Sequence, residues 1–237
     1  MEPKYRRVLL KLSGEALQQG APEKSIYNFD LVKTICGKIR EICELGVQVA
    51  VVVGAGNIWR GKQGTNLDRV RADQMGMLAT AINSLCLQDA LEKEGVDARV
   101  LTAASVRPFA EEYDRAAAMR YLAEGKVVIF GCGLGSPYFS TDTAAVLRAK
   151  EIEADVVLLA KNIDAVYSAD PRKDPSAKKL ESIKYSEVLA ANLAVMDLTA
   201  TCFAMDNHLP ALVFGLSDPQ NIIRAVMGEK LGTVVDN

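Results

Sequence analysis

Short apolar segments alternate with helix-forming segments along almost the whole chain, and this alternation limits the possible folds most strongly. Residues 49–53 read Val-Ala-Val-Val-Val and are apolar on both faces, as in a strand that helices cover on each side. Strands that alternate with helices form a mainly parallel sheet, so the sequence predicts an α/β protein. The expected strands lie at residues 7–12, 47–53, 98–101, 127–130, 155–159 and 211–214, with a weaker one at 233–235, and the expected helices at 30–45, 68–94, 114–124, 141–151, 186–191, 197–207 and 219–227.

The composition narrows the class of protein. At 237 residues the chain suits one α/β domain, and no repeat or linker divides it. A net charge of −2 leaves no basic excess for a nucleic-acid partner. The single histidine, His208, excludes chemistry that needs several histidines, and the five cysteines form no Cys-x-x-Cys pair, which indicates reduced thiols in a cytoplasmic protein. Since no apolar run is long enough to cross a bilayer, we also expect no membrane partner.

A glycine-rich turn at residues 131–137 follows one predicted strand and precedes the predicted helix at 141–151. Its three glycines let backbone N–H groups approach an anion, Thr141 is placed to cap the helix, and helix N-termini attract phosphate. A purely structural turn would use the same glycines. A second elaborated strand end, the acidic loop at 167–171, favours a ligand site, because ligands of α/β sheets bind beyond the carboxyl ends of the strands.

Lys11 interrupts the first predicted strand. An ammonium group on a strand that is apolar on both faces is costly unless an anion or a carboxylate meets it. Ser13 and Gly14 follow directly and offer a hydroxyl and an unobstructed backbone N–H, so the segment predicts a phosphate cradle. The alternative is a lysine that only extends its amine to solvent.

Residues 54–62, Gly-Ala-Gly-Asn-Ile-Trp-Arg-Gly-Lys, follow the most apolar strand and contain the spacing of a P-loop. Gln63, however, stands where that motif needs Ser or Thr to hold magnesium. Trp59 occupies a position where the dinucleotide-binding fingerprint needs glycine. Both motifs are therefore rejected, and Arg60 is retained as a candidate phosphate clamp.

Further candidate side chains have two possible explanations each. Asp73 either pairs with neighbouring arginines or reaches a ligand, and Asp142 either favours its helix dipole or holds Lys11 in place. Tyr167 and Asp170 would suit the base and ribose of a nucleoside, although Tyr167 could instead anchor its own loop. Three glycine-rich strand ends, two basic residues and this loop together indicate phosphoryl transfer between two nucleotide-like substrates.

The predicted helix at 68–94 carries more apolar side chains than one sheet-facing stripe needs. The surplus indicates a helix face buried against another subunit, with core contact alone as the alternative. The apolar residues concerned are Met75, Met77, Leu78, Ile82, Leu85, Leu87 and Leu91.

A set of motifs in a fixed order gives the chain a family resemblance. The motifs are LLKLSGEAL at 9–17, DQMGMLAT at 73–80, DTAA at 142–145, EIEADVVL at 151–158, ADP at 169–171, VMDL at 195–198 and MGEK at 227–230. Together they resemble the bacterial-type uridylate (UMP) kinases of the amino acid kinase superfamily, and the likeness covers nearly the whole chain.

The resemblance implies a three-layer αβα sandwich, phosphorylation of UMP to UDP by ATP with Mg²⁺ carried on the ATP, and a homohexamer. It implies that Lys11 stabilises charge on the transferring phosphoryl group, that Asp142 orients Lys11, and that GTP and UTP are possible effectors. The implied ATP-binding elements are residues 11–14 and 160–237. The implied ATP-binding residues are Lys11, Leu12, Ser13, Gly14, Gly56, Arg60, Lys161, Asn162, Tyr167 and Asp170. The implied UMP-binding residues, within 54–141, are Ala55, Asp73, Leu134, Gly135, Ser136, Pro137, Tyr138, Phe139, Ser140 and Thr141.

The chain departs from the usual pattern of these kinases at three places. Ala55 replaces the middle glycine of a Gly-Gly-Gly-Asn loop, a change that would be strained only at a positive φ. Lys161-Asn162 replaces a common Thr-Lys, so the adenosine contacts follow least directly from the resemblance. Trp59 stands where phenylalanine is frequent, which we expect to be harmless.

Two other functions remain as alternatives. A superfamily relative that phosphorylates a carbamate or an amino-acid carboxylate would share the fold, but Asp73 and the segment 134–141 favour UMP. A catalytically silent nucleotide sensor would keep the glycine turns but would need neither Lys11 nor Arg60.

Overall fold

The computed structural model describes residues 2–60, 66–169, 174, 176–193 and 195–237. Within them the strands are β1 (Arg7–Leu12), β2 (Gln48–Val53), β3 (Ala98–Thr102), β4 (Glu111–Glu112), β5 (Val127–Gly131), β6 (Val156–Lys161), β7 (Ser182–Lys184), β8 (Ala211–Gly215) and β9 (Thr233–Asp236). The helices are α1 (Gly14–Gln18), α2 (Phe29–Glu44), α3 (Arg69–Lys93), α4 (Arg115–Ala123), α5 (Thr141–Glu151), α6 (Tyr185–Ala190), α7 (Leu198–Asp206) and α8 (Asn221–Val226).

All these strands join one sheet in the order β4-β3-β5-β2-β1-β6-β8-β9-β7. Every neighbouring pair is parallel except β8 and β9, which are antiparallel. The chain passes from β1 to β2 on one side, whereas β6 adds on the other side of β1. The strand order therefore reverses at β1, and the carboxyl ends of β1 and β6 border the crevice where α/β sheets bind ligands.

Each face of the sheet carries its own apolar core. Leu10 and Leu12 of β1 point into a core that α2, α3 and α8 cover, and Leu9 points into a second core covered by α4, α5, α6 and α7. This alternation follows from the two-residue period of a strand, and burial on both faces explains the apolar composition of β1 and β2. The expected αβα sandwich with a mainly parallel sheet is confirmed.

The structure adds elements that the sequence did not predict. The helix α1 and the strands β4 and β7 are each five residues or fewer, too short to show a hydrophobic period. The long helix α3 is present with nearly its expected bounds. His208 lies just after α7 with a left-handed φ of 48°, which agrees with its interpretation as a helix-end residue.

The five cysteines are all free thiols. Burial raises the pKa of Cys36 and of Cys43 to about 12, so both are held as unreactive thiols at neutral pH. No helix in the described ranges has the length and apolar character needed to span a bilayer.

Candidate active site

Lys11 lies near the carboxyl end of β1 and forms an ion pair with Asp142. Its Nζ is 2.8 Å from Asp142 Oδ1, and both side chains are less than a fifth exposed. Asp142 is the second residue of α5, so the helix N-terminus also faces this point. Burial alone would raise the pKa of the Asp142 carboxyl, but the positive charges of Lys11 and Lys161 outweigh it and hold that pKa below its usual value. The Asp142 carboxylate thus stays ionised inside the crevice.

Lys161 is the last residue of β6 and brings a second ammonium group to the same carboxylate. Its Nζ lies 3.9 Å from Asp142 Oδ2 and donates a hydrogen bond to the carbonyl of Val195. Burial lowers the pKa of Lys161, although the nearby Asp142 and Asp197 oppose that shift. The ammonium of Lys161 is therefore next to Lys11 and Asp142, whereas the resemblance implied a place beside adenosine.

The loops after β1 and β2 touch through their backbones. Ser13 caps α1 by accepting a hydrogen bond from Ala16 N at 3.1 Å. A Cβ at Gly14 would lie 2.6 Å from Gly56 N and 2.7 Å from Gly54 O, closer than atoms can approach, so only glycine fits there. Ala55 does not adopt a left-handed conformation, and its replacement of glycine is therefore unstrained. The backbones of the two loops are thus in close contact just beyond the carboxyl ends of β1 and β2.

Arg60 is half exposed and pairs with Glu15 of α1. Arg60, the expected phosphate clamp, is therefore already paired with a carboxylate. A phosphate group would have to replace Glu15 in order to bind Arg60. Residues 61–65, including Lys62 and Gln63 of the rejected P-loop, lie outside the described residues.

Asp73, in the second turn of α3, makes the arginine contact that was one of its two alternatives, and it also bonds to the glycine-rich turn. Its Oδ2 accepts a hydrogen bond from Arg69 Nε at 2.8 Å and another from the backbone N–H of Tyr138 at 2.8 Å. The Arg69 guanidinium also lies 5.5 Å from the centre of the Tyr138 ring. Asp73 is thus a local charge pair and, at the same time, a tie between α3 and the glycine-rich turn.

The prediction that Thr141 caps α5 is wrong. Ser140 is the cap, since its Oγ accepts hydrogen bonds from Asp142 N at 3.0 Å and Thr143 N at 3.1 Å. Ser140 in turn donates its hydroxyl proton to Asp197, which caps α7. Two adjacent hydroxyl residues can both act as caps, and the backbone uses the one that is extended, with φ −87° and ψ 170°.

The glycine-rich turn and α3 enclose a cavity of about 220 Å³, which we call the turn cavity. Seven of the expected UMP-binding residues line it: Ala55, Asp73, Leu134, Ser136, Phe139, Ser140 and Thr141. Gly135 shapes the turn with a φ of 72°, at a point where a Cβ would lie 2.6 Å from Ala103 O. Pro137 and Tyr138 belong to the same turn but do not line the cavity. The structure therefore brings most of the predicted set around one space.

Residues 162–167 form the loop after β6, which we call the β6 loop; residues 162–164 are exposed, whereas Ala165 and Val166 are buried. Tyr167 donates its hydroxyl to Asp164 Oδ1 at 2.9 Å, and Lys179 Nζ lies 3.0 Å from Asp164 Oδ2. The hydrogen bond from Lys179 is the main reason that the pKa of Asp164 is below its usual value. Asn162 is exposed, and Asp170 lies outside the described residues. Tyr167 is thus tied to its own loop, as one of the two interpretations expected.

Asp197 was not among the predicted site residues, although it lies in the VMDL motif. Besides Ser140, it accepts a hydrogen bond from Thr143 Oγ1 at 3.2 Å, so it joins the start of α7 to the start of α5. An aspartate at the start of a predicted helix is a sequence signal for a cap, but Ser140 and Thr143 are more than 50 residues away in the chain. Within the described residues, no group of three or more His, Cys, Asp and Glu side chains is placed to hold a metal ion.

Known proteins share this architecture over the whole chain. The UMP kinase of Bacillus anthracis is 39% identical, with 98% of this chain and 96% of that chain covered and a TM-score of 0.92. The UMP kinase of Ureaplasma parvum is 35% identical, with 99% and 100% covered and a TM-score of 0.92. The uridylate kinase of Archaeoglobus fulgidus is 28% identical, with 96% and 99% covered and a TM-score of 0.74.

Residues 6–215 match the profile described as the amino acid kinase family, a span that contains the Lys11–Asp142 pair, the turn cavity and the β6 loop. With two full-length relatives above 30% identity as well, the chain belongs to the amino acid kinase family, in the branch of the UMP kinases.

Proposed function

We propose that this protein is an ATP-dependent UMP kinase, which converts UMP and ATP into UDP and ADP in pyrimidine nucleotide biosynthesis. The observation that carries the proposal is the buried Lys11–Asp142 pair beside the turn cavity, at the point where the strand order reverses. Full-length relatives that are UMP kinases support the choice of substrates.

In the proposed reaction an oxygen of the UMP phosphate attacks the γ-phosphorus of ATP. A new oxygen–phosphorus bond forms, the bond to the β,γ-bridging oxygen breaks, and its electron pair leaves with ADP. Such transfers depend on positioning and charge stabilisation, because the protein contributes little covalent chemistry. Lys11 would stabilise negative charge on the transferring group, and Asp142 would fix the direction of Lys11.

We assign the remaining site residues by the loops that carry them. Leu12, Ser13, Gly14, Gly56 and Arg60 would bind the ATP phosphates. Lys161, Asn162, Tyr167 and Asp170 would complete the ATP site, the last three on its adenosine side. The residues around the turn cavity, with Gly135, Pro137 and Tyr138 of the turn, would bind UMP. Mg²⁺ would arrive on the ATP phosphates and neutralise part of their charge.

The outer face of α3 supports an assembly. Met75, Leu78, Ile82 and Leu85 are 41%, 55%, 49% and 37% exposed and recur every three or four residues, so they form one apolar stripe. We propose that the stripe packs against a second copy within a cytoplasmic homohexamer, in which GTP and UTP are possible effectors. Light scattering at micromolar protein should give about six times the chain mass, and a monomer would contradict this proposal.

An acceptor screen tests the activity. ADP release, measured with a coupled assay, is compared for UMP, CMP, dUMP and acetylglutamate at the same ATP and Mg²⁺ concentrations. UMP should give the highest kcat/KM, because the turn cavity and Asp73 are expected to recognise a pyrimidine ribonucleotide. A higher value with acetylglutamate would identify a relative that phosphorylates carboxylates, and no ADP release with any acceptor would identify a nucleotide sensor.

A further inference from the structure

The inner face of α3 carries polar side chains in a place where apolar ones would pack. Thr80, Asn83 and Ser84 are 2%, 0% and 0% exposed. Burying a polar group is unfavourable unless hydrogen bonds replace those to water, so the partners of these three side chains indicate what they are for. Ser84 donates only to Thr80 O within its own helix, at 2.8 Å. Thr80 and Asn83, in contrast, bond to loops of the candidate site.

Asn83 uses three of its four hydrogen-bonding positions to hold the loop after β2. Its Nδ2 donates to Gly54 O at 2.7 Å and to Asn57 Oδ1 at 2.8 Å, and its Oδ1 accepts from Asn57 Nδ2 at 3.1 Å. A carboxamide has two donors and two acceptor positions, and the hydroxyl of Tyr27 fills the last one at 2.7 Å. Residues 54–57, which carry Ala55 and Gly56, are therefore fixed to α3 at both ends.

Tyr27 completes the same network from outside the helix. Burial is the main reason that the pKa of its hydroxyl is raised, so the group stays protonated and donates to Asn83. Asn57 Nδ2 also donates to Ile26 O at 2.9 Å. The amide pair thus joins three segments that are distant in sequence, and networks of this kind are rigid when every member is satisfied.

Thr80 holds the start of the glycine-rich turn. Its Oγ1 accepts a hydrogen bond from Cys132 N at 2.8 Å and donates its proton to Met77 O at 2.7 Å. Cys132 is the first residue after β5 and has a left-handed φ of 61°, which a non-glycine residue adopts only where its surroundings enforce it. The residue that begins the turn is thus tied to α3 by a buried hydroxyl.

We infer that Asn83 and Thr80 are positioning residues that fix the phosphate-binding loop after β2 and the UMP-binding turn after β5 at a set separation. The inference rests on the proposed function, because that function assigns ATP phosphates to the first loop and UMP to the second. The two residues lie one helical turn apart. A single rigid helix therefore sets the distance between the loop for the phosphoryl donor, ATP, and the turn for the acceptor, UMP. A misplacement of reacting groups by about 1 Å can lower turnover by ~100-fold.

Kinetics of four variants test the inference. Thr80→Val keeps the shape of the side chain but loses the acceptor for Cys132 N, and it should raise the UMP KM by ~10-fold with little change in the ATP KM. Thr80→Ser restores the hydroxyl and should restore the UMP KM. Asn83→Ala should lower kcat by ~10- to 100-fold, because the loop after β2 loses its alignment. Ser84→Ala is the matched control, since it removes a buried hydroxyl of the same helix that bonds to no loop.

Amide hydrogen exchange separates failure of this inference from failure of the proposed function, because it needs no substrate. Asn83→Ala should speed exchange in peptides around residues 54–57 and leave those around 131–135 unchanged, and Thr80→Val should do the reverse. If Asn83→Ala does not fold, Tyr27→Phe takes its place and should speed exchange at 54–57 by a smaller factor. The inference would be overturned, even if UMP is the substrate, by exchange that changes equally in both peptides. It would also be overturned if every variant showed the same exchange rates as the control Ser84→Ala.

Discussion

The turn cavity and the β6 loop belong to the same candidate site but are held in different ways. The turn around the cavity is tied to α3 by Asp73 and by the buried hydroxyl of Thr80. The exposed first half of the β6 loop is held at the surface, where Lys179 and Asp164 are 44% and 58% exposed. Its second half is buried, and there Val166 N donates to Thr233 Oγ1 at 2.9 Å. Buried hydrogen bonds define one geometry, whereas exposed ion pairs contribute little. We therefore expect the UMP side to be rigid and sensitive to substitution, and the exposed half of the β6 loop, residues 162–164, to be tolerant.

The largest effect is expected where the two sides meet, at Lys11. Lys11→Ala should leave the fold intact and reduce turnover by ~100-fold or more, because a preorganised charge beside the transferring phosphoryl group is lost. The measurement is kcat at saturating UMP and ATP, with far-UV circular dichroism to check folding. Lys38→Ala, which removes a lysine paired with Glu41 on the surface of α2, is the control. Near-normal turnover of Lys11→Ala would exclude the assigned role.

Asp73 tests the UMP side alone. Asp73→Asn keeps an oxygen that can accept from Tyr138 N but removes the charge, and it should raise the UMP KM by ~10-fold or more while the ATP KM changes far less. The matched control is Asp89→Asn, on the exposed surface of the same helix, where the carboxylate pairs only with Lys93. Equal effects on both substrates would mean that Asp73 only holds Arg69 and the glycine-rich turn in place and does not serve UMP binding.

The residues of the site also differ in how far the sequence could predict their positions. The placement of Lys11, Ser13 and Gly14 at the carboxyl end of β1 was predictable from one strand end, and the pairing of Lys11 with Asp142 was one of two alternatives, which the family motifs favoured. The partners of Thr80 and Asn83 lie 52 and 29 residues away, and both appeared only as polar residues inside a long helix. The periodicity of a helix does not indicate which distant loop a buried polar side chain will contact, so only the structure could reveal these two contacts.

The sequence also could not predict which residue caps α5 or how β9 pairs, because both depend on distant parts of the chain. Ser140 and Thr141 are both good caps by composition, and the choice between them depends on backbone angles that Asp197 helps to fix. The antiparallel pairing of β8 with β9 depends on the path of the chain after α8. Local residue preferences carry neither kind of information, whereas the αβα layers follow directly from burial on both sheet faces.

A smaller effect is expected from the pH dependence of stability at Asp142. Because Lys11 and Lys161 lower the pKa of this carboxyl in the folded protein, its contribution is fully present above the unfolded pKa of about 3.9 and is lost as the pH falls through the folded pKa. Asp142→Asn should therefore lower the free energy of unfolding by ~1–3 kcal/mol at pH 6. Urea unfolding of both proteins should show this difference shrinking below pH 4. A difference that stays constant down to pH 3 would contradict the ion pair as its source.

The smallest effect is expected at Lys179, which pairs with Asp164 of the β6 loop. Lys179→Ala removes an ammonium group 3.0 Å from Asp164, but both side chains are about half exposed and the pair is screened by salt. The free energy of unfolding should change by less than about 1 kcal/mol, and the ATP KM should rise by about fivefold at most with kcat unchanged. Raising the ionic strength should reduce even this difference between Lys179→Ala and the unmodified protein. A tenfold rise in the ATP KM that persists at high salt would show that the adenosine side is held as firmly as the turn cavity, and the contrast between the two regions would fail.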